Sequence, residues 1–222
     1  MTTTSFHKGC SILGLTPTAF AVAVGLLLWQ GAVPISAQTI VDEWATVQAP
    51  KPPELKPVTL EPQGTALLVL DFVSQTCNAE RRPRCLTSVP KVQGLLKLAR
   101  DKGVTVIHSI TTAATPADIA KELTPAAGEP IVKAAADKFF KTDLEKILAD
   151  KGIKTVVVVG TAAQGAVLNT ASQAAFRGLR VIIPVDGMSA ESTYYEQYTA
   201  IHLATAPGIG QQVTLTKIDL IK

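Results

Sequence analysis

The sequence predicts a three-layer, doubly wound α/β domain, a mostly parallel sheet with helices on both faces. Three observations lead there. Near-continuous apolar runs recur along the chain, as strands covered on both faces require. Segments of helical period lie between those runs and stop at glycines. The 222 residues, 47% hydrophobic and 18% charged, are also enough for one domain with a sizeable core.

Taken in order, TALLVLD (65–71) reads as the first strand. SVPKVQGLLKLARDKG (88–103) places Val89, Val92, Leu95, Leu96 and Ala99 on one helical face and stops at Gly103. VTVIHS (104–109) is a second strand. TDLEKILADKG (142–152) reads as a helix opened by a Thr142–Glu145 capping box and closed by Gly152. TVVVVG (155–160) is a third strand, and the helix after it ends near Gly178. LRVIIPVD (179–186) is a fourth strand, followed by a helix near 191–204 and a short last strand, QVTLT (212–216). There is no internal repeat.

The first 37 residues stand apart from this pattern. They hold Lys8, no acid, the apolar core AVAVGLLLW (21–29) and small residues before Gln38. That composition predicts a secretory signal peptide cleaved after Ala37, with an uncleaved anchor as the alternative. Localisation would be periplasmic or secreted, with no stable membrane association after cleavage. Residues 38–64 form a lead-in whose stretch QAPKPPELKPVTLEP holds five prolines and is expected to run extended, as a spacer or as an arm on a neighbouring subunit. Residues 65–222 are the folded domain.

Charge and cysteines narrow the function classes. The net charge of +3 is small, and acids and bases are interspersed. Arg81-Arg82-Pro83-Arg84 is the one basic cluster and reads as a solvated loop, so nucleic acid is not an expected partner. After cleavage two cysteines remain, Cys77 and Cys85, and in an oxidising compartment such a close pair predicts a disulfide. No metal motif is visible, and His108 and His202 are far apart in sequence.

In a doubly wound sheet the site is expected outside the carboxyl ends of the strands. Asp71 ends the first strand there. A carboxylate so placed is partly desolvated and suited to proton transfer, although a helix or turn cap is an equally ordinary reading. Lys133 emerges from EPIV and precedes three alanines, which would let it hold an anionic group or tune a carboxylate; a snorkelling surface lysine is the alternative. The turn GTAAQGAVLNTA (160–171) leads a buried strand into a helix and offers backbone N–H groups to an anion, through Gln164, Gly165 and Ala166.

These pieces together resemble the isochorismatase-like hydrolase family, which includes nicotinamidases, N-carbamoyl amide hydrolases and isochorismatases. The matching stretches are LLVLDF (67–72), EPIVK followed by Phe139 and TDL (142–144), and VVVVGTAAQGAVLNTASQAAFRGLRVIIPVD (156–186). The resemblance implies that Asp71 is the catalytic aspartate. It implies Lys133, rather than Lys138, as the catalytic lysine, because the family lysine lies six residues before the aromatic, here Phe139. Most of the family has a cysteine nucleophile where this chain has Ala166. An alanine methyl cannot form a thioester, so the amidase route is closed as usually drawn. The isochorismatase branch also lacks the cysteine. There the aspartate protonates an enol carbon and water adds, so no nucleophile is needed.

Together with the predicted signal peptide, the resemblance implies an exported small-molecule hydrolase working by acid/base catalysis through Asp71 and Lys133, with no cofactor and no metal. The alternative is an inactive small-molecule-binding protein on the same fold. Export argues against isochorismate itself, a cytosolic metabolite. Such folds commonly oligomerise, so a homo-oligomer is a further expectation.

Overall fold

The computed structural model describes residues 39–222. The signal-peptide reading and its cleavage point lie outside the described residues. The chain divides after Ala49 into two units. In the first, a four-residue helix α1 (Ile40–Glu43) is capped by Asp42, whose Oδ2 accepts the Thr39 backbone N–H at 2.8 Å, and it buries nothing.

The second unit, Pro50–Lys222, is built on a seven-stranded sheet. Its strands are β1 (Thr65–Leu70), β2 (Thr105–Ile110), β3 (Ile131–Lys133), β4 (Thr155–Thr161), β5 (Arg180–Pro184), β6 (Met188–Ser189) and β7 (Val213–Thr216). Their order is β3-β2-β1-β4-β5-β7, with β6 pairing β4, and every pairing is parallel. The five predicted strands are all present. The sequence reading missed β3 and β6, of three and two residues, which are too short to carry a periodicity.

Side chains of the central strands alternate between two cores. Ala66, Leu68 and Leu70 of β1 and Val156 and Val158 of β4 face one cluster. That cluster is covered by α3 (Leu144–Asp150), α4 (Leu168–Phe176) and α5 (Thr193–Thr205). Leu67, Val69, Val157 and Val159 face the other, covered by α2 (Pro83–Asp101). Each buried Leu or Val contributes about 1.5–3 kcal/mol, so both layers are held by the same apolar runs that revealed the strands.

Two local expectations need correction. Helix α2 begins at Pro83 rather than near Ser88, because proline's fixed φ suits a first helical turn. The Thr142–Glu145 capping box does not form. Thr142 Oγ1 instead donates to the Lys138 carbonyl at 2.5 Å and accepts the Leu144 N–H at 3.2 Å, while Glu145 is held by Arg177 at 2.8 Å. In the lead-in, the Lys56 N–H donates to Leu215 O, and Val58 and Leu60 bond to Leu220 and Lys222; Leu60 is buried.

Candidate active site

Strand β1 ends at Leu70, and the next residue turns out of the sheet. Asp71 has φ of 57°, in the left-handed region, a conformation that costs energy unless its surroundings hold it. Several contacts do. The Asp71 N–H donates to Ser109 O of β2 at 3.1 Å, and Thr76 Oγ1 donates to the Asp71 carbonyl at 2.5 Å. Next to it, β4 approaches β1 very closely at the register pair Leu70–Gly160. A Cβ on Gly160 would meet Leu70 Cβ and O at 2.6 Å, so only glycine fits there.

The Asp71 side chain is turned inward and is 4% exposed. Ser109 Oγ donates to Oδ1 at 2.8 Å, and Lys138 Nζ donates to Oδ2 at 2.7 Å. Burial raises the carboxyl above the usual aspartate range; Lys138, Ser109 and Arg82 pull it back without cancelling the rise. The position leaves a carboxyl readier than usual to carry a proton.

The lysine that meets Asp71 is Lys138, not Lys133. Lys133 closes the edge strand β3 and is exposed. Beyond it the chain leaves the sheet and wraps back over the site. Lys138 is completely buried there, and its Nζ is surrounded by Asp71 Oδ2, Ala134 O at 3.2 Å and Ala135 O at 2.6 Å. Three acceptors match the three N–H donors of an ammonium. The segment is pinned on both sides. Lys138 N–H donates to Thr170 Oγ1 of α4 at 3.3 Å, and buried Phe139 carries the Arg177 guanidinium over its ring at 4.4 Å. Counting six residues back from Phe139 gives Lys133; the path of the chain after a three-residue strand is not visible in that count.

The turn after β4 is a π-type turn, Ala163–Val167, running into α4. Such turns insert one residue into a helix and change what the following side chains face. Ala166 is buried in it. Gly165 and Val167 donate their N–H groups to Ala162 O at 3.0 and 3.3 Å. The expected cradle of free N–H groups is therefore narrower than the sequence suggested, with Gly165 already committed. Gln164 is half-buried, its Nε2 donating to Glu191 Oε2 at 3.1 Å.

Sequence reasoning missed the partner of that glutamate. Arg82 belongs to the basic run read as a solvated loop, yet its side chain is only 6% exposed. Its Nε and Nη2 lie 2.9 and 2.7 Å from Glu191 Oε1, its Nη1 donates to Thr76 O at 3.2 Å, and its charge reaches Asp71. The Arg82 hydrogen bonds hold Glu191 down at about 2. Arg84, two residues on, pairs with Glu196. The signal was a pair of acids, Glu191 and Glu196, at the start of the last helix. The predicted Cys77–Cys85 disulfide is present, with Cα atoms 5.3 Å apart, and it ties the loop after Asp71 to the first turn of α2 beside Arg82. Among the described residues, no three His, Cys, Asp or Glu side chains gather as a metal site.

Residues 65–217 match the isochorismatase domain. A secreted isochorismatase effector of Verticillium dahliae is 31% identical over 144 residues, covering 60% of this chain and 76% of that protein. An N-carbamoylsarcosine amidase of Arthrobacter is 32% identical over 130 residues, covering 46% of this chain and only 49% of the amidase. Among solved structures, an isochorismatase family protein of Desulfovibrio vulgaris superposes with a TM-score of 0.65 at 21% identity, over 71% of this chain and 95% of that one; it supports the fold.

Proposed function

The chain belongs to the isochorismatase family, and from that premise we propose that it is an exported small-molecule hydrolase in which Asp71 is the acid and no cysteine takes part. One observation carries the proposal: a buried carboxyl, raised by desolvation, held at 2.7 Å by a buried lysine at the carboxyl end of the central strand. Position 166 offers only a methyl group, so a covalent acyl intermediate has no attachment point there.

The chemistry that fits is hydrolysis of an enol ether. Asp71 delivers its proton to the terminal enol carbon, leaving an oxocarbenium-like centre. Water adds to that centre, the proton it sheds returns to the aspartate, and the hemiketal collapses to a ketone and an alcohol. Lys138 stabilises the aspartate anion formed after the first step. Exposed Lys133 keeps the lesser role of drawing an anionic substrate to the site. The relative from Verticillium is named a secreted isochorismatase, so export is no argument against isochorismate, and it is the first substrate to test. The disulfide suits an oxidising compartment as well.

The test is turnover of isochorismate and of a panel of simple enol ethers and amides by the wild type and Asp71→Asn. The proposal expects enol-ether turnover that Asp71→Asn lowers by about 10²–10⁴-fold. Undiminished turnover in the variant would sink it.

A second reading is favoured by one feature. All three ammonium donors of Lys138 already have protein acceptors, as in a purely structural pair. On that reading the protein binds a small molecule without transforming it. Ligand-induced thermal stabilisation without turnover, equal in wild type and Asp71→Asn, would select it.

A further inference from the structure

The Arg82–Glu191 pair has a consequence for Gln164 that is independent of the acid chemistry. An ionised carboxylate accepts hydrogen bonds and donates none. Glu191 is held ionised by Arg82, so the group of Gln164 that faces it at 3.1 Å must be the NH₂. The amide orientation is then fixed by chemistry. Its other end, Oε1, is buried and has no hydrogen-bond partner. A buried amide oxygen without a donor is costly, and such groups in native proteins call for a partner. Ser189 Oγ is a second buried oxygen without a partner. Strand β6 carries it, and the β4–β6 register sets Ser189 beside Thr161, at the root of the turn that bears Gln164.

We propose that Gln164 is the specificity residue of this site: its Oε1, aimed by the Glu191–Arg82 pair, accepts a hydrogen bond from an O–H or N–H of the bound small molecule. This assignment rests on the reading that a small molecule binds beside Asp71, but it does not require turnover. A ligand with a donor at that point satisfies the buried oxygen. A ligand whose donor is capped by a methyl group leaves it unpaired and is rejected, which is how a polar site discriminates more strongly than an apolar one. The hydroxyl of Ser189, able to donate or accept, suits a neighbouring oxygen of the same ligand.

The experiment measures binding by calorimetry to the full mature chain carrying Asp71→Asn, so that no probe is consumed. The probes are isochorismate, which bears a free hydroxyl beside its enol ether, its O-methyl ether, and the analogue with an amino group in place of the hydroxyl. The expected result is a preference of about 10- to 100-fold for either donor-bearing compound over the methyl ether. Adding Gln164→Leu should reduce that preference to about twofold or less. In the Glu191→Gln variant the amide is free to turn over, and the preference should fall without being abolished. Should Gln164→Leu fold poorly, Gln164→Met gives the same reading. A preference unchanged by Gln164→Leu overturns the assignment, as does binding of none of the probes. A wild type that binds with this preference yet turns nothing over overturns only the acid-catalysis reading.

Discussion

At the scale of single residues, the two lysines near the site are asked for different things. Lys138 is fully buried against Asp71, so removing it leaves a desolvated carboxyl without its counter-charge. Lys138→Met should cost about 3–5 kcal/mol in urea unfolding, whereas Lys133→Ala, at an exposed edge, should stay within about 0.5 kcal/mol. Kinetically, Lys133→Ala should raise KM for an anionic substrate and leave kcat alone; Lys138→Met should act on kcat. The pH profile separates them further. With Asp71 as the proposed acid, activity should decline as pH rises through its raised pKa. Lys138 lowers that pKa, so in Lys138→Met the decline should move to higher pH. Asp71 itself was legible because a carboxylate after five apolar residues has few other places to be. The choice between Lys133 and Lys138 was not legible, since it depends on how Ala134 and Ala135 present their carbonyls after β3 ends. Arg82 was hidden for a similar reason: its partner Glu191 lies 109 residues away.

At the scale of elements, Glu129 ties three of them together. It accepts two hydrogen bonds from Arg100 of α2, one from the Ala126 N–H, and lies 2.9 Å from His108 Nε2 of β2. Burial raises Glu129, but these partners outweigh it and bring it to about 2, from an ordinary 4.5. The sign follows directly. The folded pKa is depressed, so the stabilisation is complete above pH 4.5 and is lost as pH falls towards 2. His108, kept neutral by burial, works in the same direction below pH 6.5. Asp71 works the opposite way, its contribution being full below pH 3.8 and falling as pH rises through its folded pKa. The melting temperature of Glu129→Gln should therefore depend less steeply on pH between 4.5 and 2 than that of the wild type. The disulfide acts on another element, the loop that carries Asp71 into Arg82. Replacing both cysteines by alanine should cost roughly 2–3 kcal/mol in urea unfolding. The long strands and helices were readable because period and apolar content agree along them. Strands β3 and β6 were not, because three and two residues carry no period.

At the scale of the whole molecule, the family and its sheet were readable because the apolar runs that make the strands also set their carboxyl ends, where Asp71 and the Ala166 turn come together. The proline-rich lead-in was expected to run extended over the surface, and its pairing with the C-terminus was not foreseen. Deletion through Ala49 removes α1, which buries no residue, and the melting temperature of the rest should hold. Deletion through Glu61 also removes buried Leu60 and its bonds to Lys222, and should cost about 2–5 kcal/mol. Light scattering on the same two deletions tests an arm-mediated oligomer: a fall in mass on removing the arm supports it, an unchanged mass counts against it. The central claim is that the reaction is proton transfer from Asp71 without a nucleophile, and its most direct measurement is hydrolysis of isochorismate in deuterated water by the wild type and Asp71→Asn. The wild type should place solvent deuterium on the former enol carbon, and the variant should be slower by about 10²–10⁴-fold; an Asp71→Asn variant that hydrolyses as fast as the wild type would rule out Asp71 as the acid.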